Sequence, residues 1–188
     1  MSDVRIVNVV AVASLGQRLD LLAIMKAFRN VEYRSKRFPG LVFRLKRPKT
    51  ATLIFTSGKM VCTGAKSEKT ARSAMKKVVR ELKKAGFVIL GRPEIEITNI
   101  VASADLGGKI DLEKALEALD NIMYEPEQFP GIIYRMTEPK VVMLLFTSGK
   151  IVITGGKSGE QIHEAADKIL AILMENQLLY DFREQEEG

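Results

Sequence analysis

A chain of 188 residues can bury a sizeable core, either as one duplicated domain or as two small ones. Its 46% hydrophobic and 28% charged residues are those of a soluble globular protein. No run approaches the ~18 apolar residues of a membrane span, and MSDVRIVNVV carries no signal-peptide pattern. The net charge of +6 conceals two opposed halves: residues 1–91 carry 20 Lys/Arg against 5 Asp/Glu, and residues 92–188 carry 9 against 18. The single cysteine, Cys62, cannot form an internal disulfide, so a reducing, intracellular setting is expected.

In chain order, a strand is predicted over 5–13, followed by Leu-Gly and then Asp20. Asp20 stands where a helix N-cap belongs, because Leu21, Ile24, Met25 and Phe28 follow at helical spacing. Three or four strands come next, broken by Phe38-Pro39-Gly40, by Pro48 and by the Thr-Ser-Gly-Lys turn at 56–59. A second helix starts at Ser67. Ala71, Met75, Val78 and Leu82 form its inner stripe, and Arg72, Lys76, Lys77, Arg80, Lys83 and Lys84 its outer face. Gly86 is its natural stop.

The same elements then return. A strand over 96–104 precedes Asp111 and the apolar series Leu112, Ala115, Leu116, Leu119 and Ile122. Breaks fall at Phe129-Pro130-Gly131, Pro139 and 147–150, and a helix opens at Ser158, which with Gln161 reads as a capping box. The unit is β-α-β-β-β-β-α, of the α+β class.

Residues 6–87 align with 97–178 without a gap, and 17 of 30 positions are identical between Phe38–Ser67 and Phe129–Ser158. So long a period marks a duplicated domain rather than a solenoid. The expected organisation is a basic first repeat over 1–91, an acidic second repeat over 92–181 and an acidic tail over 182–188. A basic block is most often a solvated face, but solubility does not require two homologous halves of opposite sign. Polyanion binding by the first half is therefore expected, with the acidic half meeting a basic protein.

Comparing the copies separates the two faces of the sheet. Side chains alternate along a strand, so Leu53 and Phe55 share a face, as do Val61 and Thr63 in the next strand. Leu53/Leu144, Phe55/Phe146, Val61/Val152 and Thr63/Thr154 are identical, whereas Ile54/Leu145, Met60/Ile151 and Cys62/Ile153 drift among hydrophobes. A packed core tolerates volume-keeping swaps, so the drifting face is core beneath the helices. The identical face is the uncovered one; a sheet-on-sheet core or a dimer interface is the blander alternative.

Catalytic and metal chemistries find no support. TSGKMVCTGAKS fails the phosphate-loop spacing, His163 replaces Arg72 of the first copy on an outer helix face, and the matched pair Asp20/Asp111 is explained by capping. No enzyme and no cofactor are expected. The positive constellation is two phenylalanine pairs, Phe38 with Phe55 and Phe129 with Phe146, each 17 residues apart. Asn8 with Val10, and Asn99 with Val101, add an amide and a small apolar group. Arg44, Arg135, Lys59 and Lys150 supply cations at the flanks. An apolar, cation-rimmed sheet with projecting rings suits a nucleic-acid groove.

These residues resemble the TATA-binding protein family over essentially the whole chain. The carrying motifs are N-x-V-A, L-G-x-x-x-D-L, F-P-G, R-x-x-x-P-K and L-x-F-x-S-G-K-x-V-x-T-G, each present twice. The resemblance, to the archaeal form, implies two pseudo-symmetric repeats. It also implies one continuous curved antiparallel sheet, a saddle with helices on the convex face. It further implies a general transcription initiation factor that binds the TATA box in the minor groove; this family is itself a standard case of minor-groove wedging.

Carried over by position, Phe38 with Phe55 and Phe129 with Phe146, beside Pro39 and Pro130, would be the wedges. Asn8, Asn99, Thr63 and Thr154 would hydrogen-bond minor-groove acceptors. Val10, Val101, Leu53, Leu144, Val61 and Val152 would form an apolar floor that the exocyclic amino group of a G·C pair would crowd. Arg44, Arg135, Lys59 and Lys150 would hold phosphates. Glu125 and Glu127 would meet transcription factor B, where the first copy has Arg34 and Lys36, and RNA polymerase would be engaged indirectly. The setting implied is the cytoplasmic nucleoid, with a homodimer as a further state of the free protein. The rivals are a sheet-based single-stranded RNA binder and a non-enzymatic dimerisation module.

Overall fold

The computed structural model describes residues 3–184, so residues 185–188 of the expected acidic tail lie outside the described residues. Residues 7–99 form one compact unit, and the described residues up to Ile6 with those from Ile100 onward form another.

The first repeat runs β1 (Asp3–Ser14), α1 (Leu21–Ala27), β2 (Val31–Glu32), β3 (Leu41–Lys46), β4 (Lys49–Ile54), β5 (Lys59–Ala65) and α2 (Glu68–Lys84). Its strands neighbour one another in the order β2-β3-β4-β5-β1, antiparallel throughout. The second repeat runs β6 (Glu96–Asp105), β7 (Lys109–Ile110), α3 (Leu112–Ala118), β8 (Ile122–Met123), β9 (Ile132–Met136), β10 (Val141–Leu145), β11 (Lys150–Gly156), α4 (Gly159–Glu175) and β12 (Leu179–Tyr180). Its order is β8-β9-β10-β11-β6, also antiparallel. The α+β class and the doubled unit are those expected from the sequence.

One face of each sheet is core. Ile54, Met60 and Cys62 are fully buried, and α2 packs on β3, β4 and β5 through Ala71, Ala74, Met75, Val78, Val79 and Leu82. Each large aliphatic side chain buried this way contributes roughly 1.5–3 kcal/mol. In the second repeat Leu145, Ile151 and Ile153 are equally buried, with Ile162, Ala165, Ala166, Ile169 and Leu173 on the inner face of α4. Burial also pushes the Cys62 thiol above its ordinary pKa, the hydroxyls of Thr52 and Thr50 opposing it. The cation-bearing side chains of α2 lie on the opposite, solvent side, apart from half-buried Lys77.

The caps behave as their residue types dictate. Asp20 accepts from the Ala23 amide at 3.1 Å, Asp111 from Lys114 at 3.0 Å, and Ser67 from Thr70 at 3.0 Å. Gly86, at φ +96°, closes α2 in a Schellman arrangement: its amide donates to Lys83 and the Phe87 amide to Leu82. The capping box at Ser158 takes a different form. Ser158 accepts from the Gln161 amide, but the Gln161 side chain accepts from the Lys157 amide, one residue before the cap.

Two expectations need correction. The periodic runs over 21–28 and 112–122 outlast their helices, which stop at Ala27 and Ala118. Phe28 leaves in an extended conformation and its ring packs edge-on against buried Phe43, with centroids 4.9 Å apart. Leu119 is likewise extended, Leu116 is exposed, and Ile122 lies in β8. Tertiary pairing wins over periodicity here. The Asn30 side chain donates to the Arg44 carbonyl at 2.7 Å and its carbonyl accepts from the Arg44 amide, which docks the chain as an edge strand.

The second correction is the ribbon of β7 and β12, which the unit β-α-β-β-β-β-α did not contain. In the first repeat the Gln17 amide side chain does the same work. It donates to the Val88 carbonyl at 2.7 Å and accepts from the Leu90 amide at 3.0 Å. The corresponding residue is Gly108, where a Cβ would lie 2.9 Å from the Tyr180 carbonyl oxygen, so backbone pairs with backbone instead.

Gly58 and Gly86 give a direct test of these contacts. Both have positive φ, but a Cβ on Gly58 would lie 2.2 Å from the Gln17 carbonyl oxygen, whereas nothing lies within 4 Å at Gly86. Gly86→Ala should carry only the backbone strain, about 1 kcal/mol, and Gly58→Ala at least ~2 kcal/mol more, read by urea unfolding.

Candidate nucleic-acid interface

The face of each sheet away from the helices is half-exposed and apolar. In the first repeat, register aligns Val42, Leu53, Val61 and Val12 in one row across β3, β4, β5 and β1. Arg44, Ala51 and Thr63 form the adjacent row. In the second repeat the rows are Ile133, Leu144, Val152 and Ser103, then Arg135, Val142 and Thr154. Val10 and Val101 lie half-buried on β1 and β6. The sequence reading found part of each row. Val12, Val42, Ala51, Ile133, Val142 and Ser103 complete them, and counting by two from residues already named would have reached these positions. Lys46, Lys49 and Lys140 also stand exposed at the β3–β4 and β9–β10 hairpins. Of these, Lys49 and Lys140 are identical between copies.

Asn8 is held by a bulge. The pairing of β1 with β5 slips between Val9↔Ala65 and Ala11↔Cys62, with Gly64 at φ +95° in the slip. The freed Gly64 amide donates to Asn8 Oδ1 at 2.7 Å, and Asn8 Nδ2 lies 3.2 Å from Thr63 Oγ1. Only an oxygen can accept from Gly64, which fixes the amide's orientation and leaves Nδ2 as its donor. The second repeat repeats the slip between Ile153↔Ala102 and Gly156↔Ile100, with Gly155 at φ +96°. Asn99 and Thr154 are half-buried at the matching positions.

The phenylalanines meet in pairs. Phe38 and Phe55 have centroids 5.9 Å apart and Phe129 and Phe146 5.7 Å, both edge-to-face. The glycine of Phe-Pro-Gly is required by this contact, since a Cβ on Gly40 would lie 2.7 Å from the Phe38 ring and one on Gly131 3.0 Å from the Phe129 ring. Phe38 is 42% exposed, and Pro39 and Pro130 are exposed beside the pairs.

Lys59 and Lys150 are exposed at the start of β5 and β11, and Arg44 and Arg135 on β3 and β9. Arg44 pairs with Glu32 at 3.4 Å, and Arg34 shares that carboxylate at 3.0 Å. All three are exposed, so water and salt screen the pairs and a phosphate can replace the carboxylate.

Glu125 and Glu127 are exposed ahead of Phe129, and the Glu125 carbonyl accepts from the Gln128 and Phe129 amides at 2.9 Å. Arg34 makes the same two backbone bonds in the first repeat, so identical loops carry opposite charge. Among the described residues no three His, Cys, Asp or Glu cluster as a metal site requires, and no helix is long and apolar enough to cross a membrane.

Comparison with known proteins bears directly on this face. The family model described as transcription factor TFIID, or TATA-binding protein, matches twice, over residues 3–85 and 94–176. The chain belongs to the TATA-binding protein family. It is 57% identical to the TATA-box-binding protein of Pyrodictium occultum over 86% of this chain and 81% of that one. Against the protein of the same name from Sulfurisphaera tokodaii the identity is 51%, over 97% and 92%. The solved structure of Methanococcus jannaschii TBP has a TM-score of 0.84 and 49% identity, covering 92% of this chain and 99% of that one. These relatives are archaeal, and the chain shares their role as DNA-binding factors of transcription that act at the TATA box.

The exposure of the rings makes a stability prediction. Phe38→Ala should cost less than about 1 kcal/mol, whereas Phe43→Ala, which removes a side chain that is 1% exposed, should cost ~3–5 kcal/mol in the same urea titration.

Proposed function

We propose that the half-exposed face of each repeat lies against the minor groove of A·T-rich promoter duplex, and that the paired phenylalanines are wedges inserted at base steps. The observation that carries the reading is the doubled arrangement: in a TATA-binding family member, each repeat pairs two rings, one of them two residues beyond the leucine of its apolar row. Unstacking a step costs a few kcal/mol, offset when a ring fills the gap and the bent duplex meets more protein surface.

The floor of Val10, Leu53, Val61, Val101, Leu144 and Val152 excludes the guanine amino group. Asn8, Thr63, Asn99 and Thr154 donate to the acceptors that A·T pairs present. Arg44, Arg135, Lys59 and Lys150 hold phosphates and set register without reading sequence. No cofactor takes part. Glu125 and Glu127 form the docking point for transcription factor B, through which RNA polymerase is recruited, and the protein works in the cytoplasmic nucleoid. The sheet-based RNA reading is disfavoured because each pair's rings meet each other edge-on rather than lying flat to stack bases.

Gel-shift titration of a TATA duplex, a G·C-rich duplex and single strands at one salt concentration tests the reading. The TATA duplex should bind at least ~100-fold more tightly, the discrimination of two or more mismatched steps. Equal affinities would overturn it. Asn8→Asp keeps the acceptor for Gly64 while removing the amide donor and adding charge. It should leave melting nearly unchanged and weaken TATA binding by roughly tenfold or more, about 1–3 kcal/mol for a lost readout contact.

Glu125→Arg with Glu127→Arg should leave TATA binding near wild type and weaken assembly with transcription factor B on pre-bound DNA. The reverse pattern in paired gel shifts would remove these residues from that role.

A further inference from the structure

One of the differences between the repeats on the proposed DNA face is a change of charge, and the C-terminal segment reaches it. On β6 the side chains of Val101, Ser103 and Asp105 point to the same side, and Asp105 pairs in register with Lys150. The matching residue on β1 is Ser14, in register with Lys59. Both make the same turn bond, Ser14 accepting from the Gly16 amide at 3.2 Å and Asp105 from the Gly107 amide at 3.0 Å. A hydroxyl is therefore sufficient for the turn, and Asp105 adds a negative charge beside Phe146.

That charge is unfavourable where phosphates are to pass. A cleft next to Phe146 is lined by Asp3, Arg5, Asp105, Ser148 and Lys150, so its two carboxylates cancel its two cations. Arg183 is the fifth charge. Its guanidinium bonds Asp105 Oδ1 directly and also donates to the Ser148 carbonyl at 3.3 Å, while its backbone amide donates to the Gly107 carbonyl at 2.8 Å. Two neighbouring contacts hold the segment in place. β12 pairs with β7, and Lys109 binds Asp181 at 2.9 Å, which holds the Asp181 carboxyl below its usual range. Gln17, which does this fastening in the first repeat, brings no charge.

We propose that Arg183 is a positioning residue for DNA binding: it neutralises Asp105 at the Phe146 end of the second repeat, so that the cleft presents a net positive charge to the phosphate backbone. The inference rests on the minor-groove reading above. It makes DNA affinity of the acidic repeat depend on a segment outside both copies of the repeated unit.

The test is a double-mutant cycle on the full chain, using Arg183→Ala, Asp105→Ser and the double variant, with a TATA duplex in gel shift at two salt concentrations. An exposed carboxylate a few ångströms from a phosphate opposes binding by roughly fivefold at low salt, an effect that screening reduces. Arg183→Ala should weaken binding by that factor, less at high salt, and the double variant should return to within twofold of wild type. Asp105→Ser alone should bind at least as well as wild type.

The affinities of the two variants that lack Arg183 separate this from mere fastening of the segment. Both variants that lack Arg183 lose its contacts to Ser148, yet only the one retaining Asp105 should lose affinity. Equal weakening of Arg183→Ala and the double variant would overturn the proposal, as would an unaffected Arg183→Ala. Failure of the wild-type protein to prefer TATA over G·C-rich duplex would instead overturn the reading beneath it.

Discussion

Each repeat has two helices for a sheet of five strands, and these cover only one side. Everything else about the molecule follows from that imbalance. The covered side is filled by Ile54, Met60, Cys62 and Phe43 in the first repeat and by Leu145, Ile151, Ile153 and Met143 in the second, all essentially inaccessible to water. The other side is left apolar and half-exposed, which is an unfavourable state for a free protein and a favourable one for a protein that meets a partner there. The site residues picked out by identity lie on the uncovered side, but Val12/Ser103, Val42/Ile133 and Ala51/Val142 in the same rows differ, so identity between the copies marks only part of that side.

The second organising feature is backbone geometry that serves side chains at the edge of that surface. The bulge at Gly64 releases one amide from the ladder, and by accepting it Asn8 turns its own donor to the Thr63 hydroxyl. The glycine of Phe-Pro-Gly lets two rings close over a bare backbone. In both places a glycine is retained because of what its neighbour must do.

The opposite charges of the repeats act at longer range. On the proposed reading, the exposed cations of the first repeat draw a polyanion regardless of its sequence, while the apolar rows and the few donors discriminate among base pairs. On the same reading the acidic second repeat binds that polymer with fewer cations, which makes every carboxylate near its proposed DNA face consequential. The loops ahead of Phe38 and Phe129 make the same backbone bonds, yet one carries Arg34 and Lys36 and the other Glu125 and Glu127, so the duplicated fold reverses its charge there without a change in those bonds.

The duplication, the α+β class, both long helices with their inner stripes, the serine and aspartate caps and the separation of the sheet's faces were all legible from the residues. Local pattern suffices for these, because a period of two or 3.6 and a capping oxygen act over only a few neighbours. The short helices were overestimated because Phe28 and Leu119 continue the helical spacing, and only contact with Phe43 and the demand of an edge strand ends each helix sooner. The β7–β12 ribbon was invisible because its cause is the missing side chain of Gly108, which matters only once residue 180 lies beside it. The site was legible as a set of identical residues, but not as rows. Strand register set Val61 between Leu53 and Val12, the bulge aimed Asn8, and chain return set Arg183 on Asp105. Sequence determined which residues would share a face; tertiary structure decided which of them touch, because register, bulges and chain return join residues far apart along the chain.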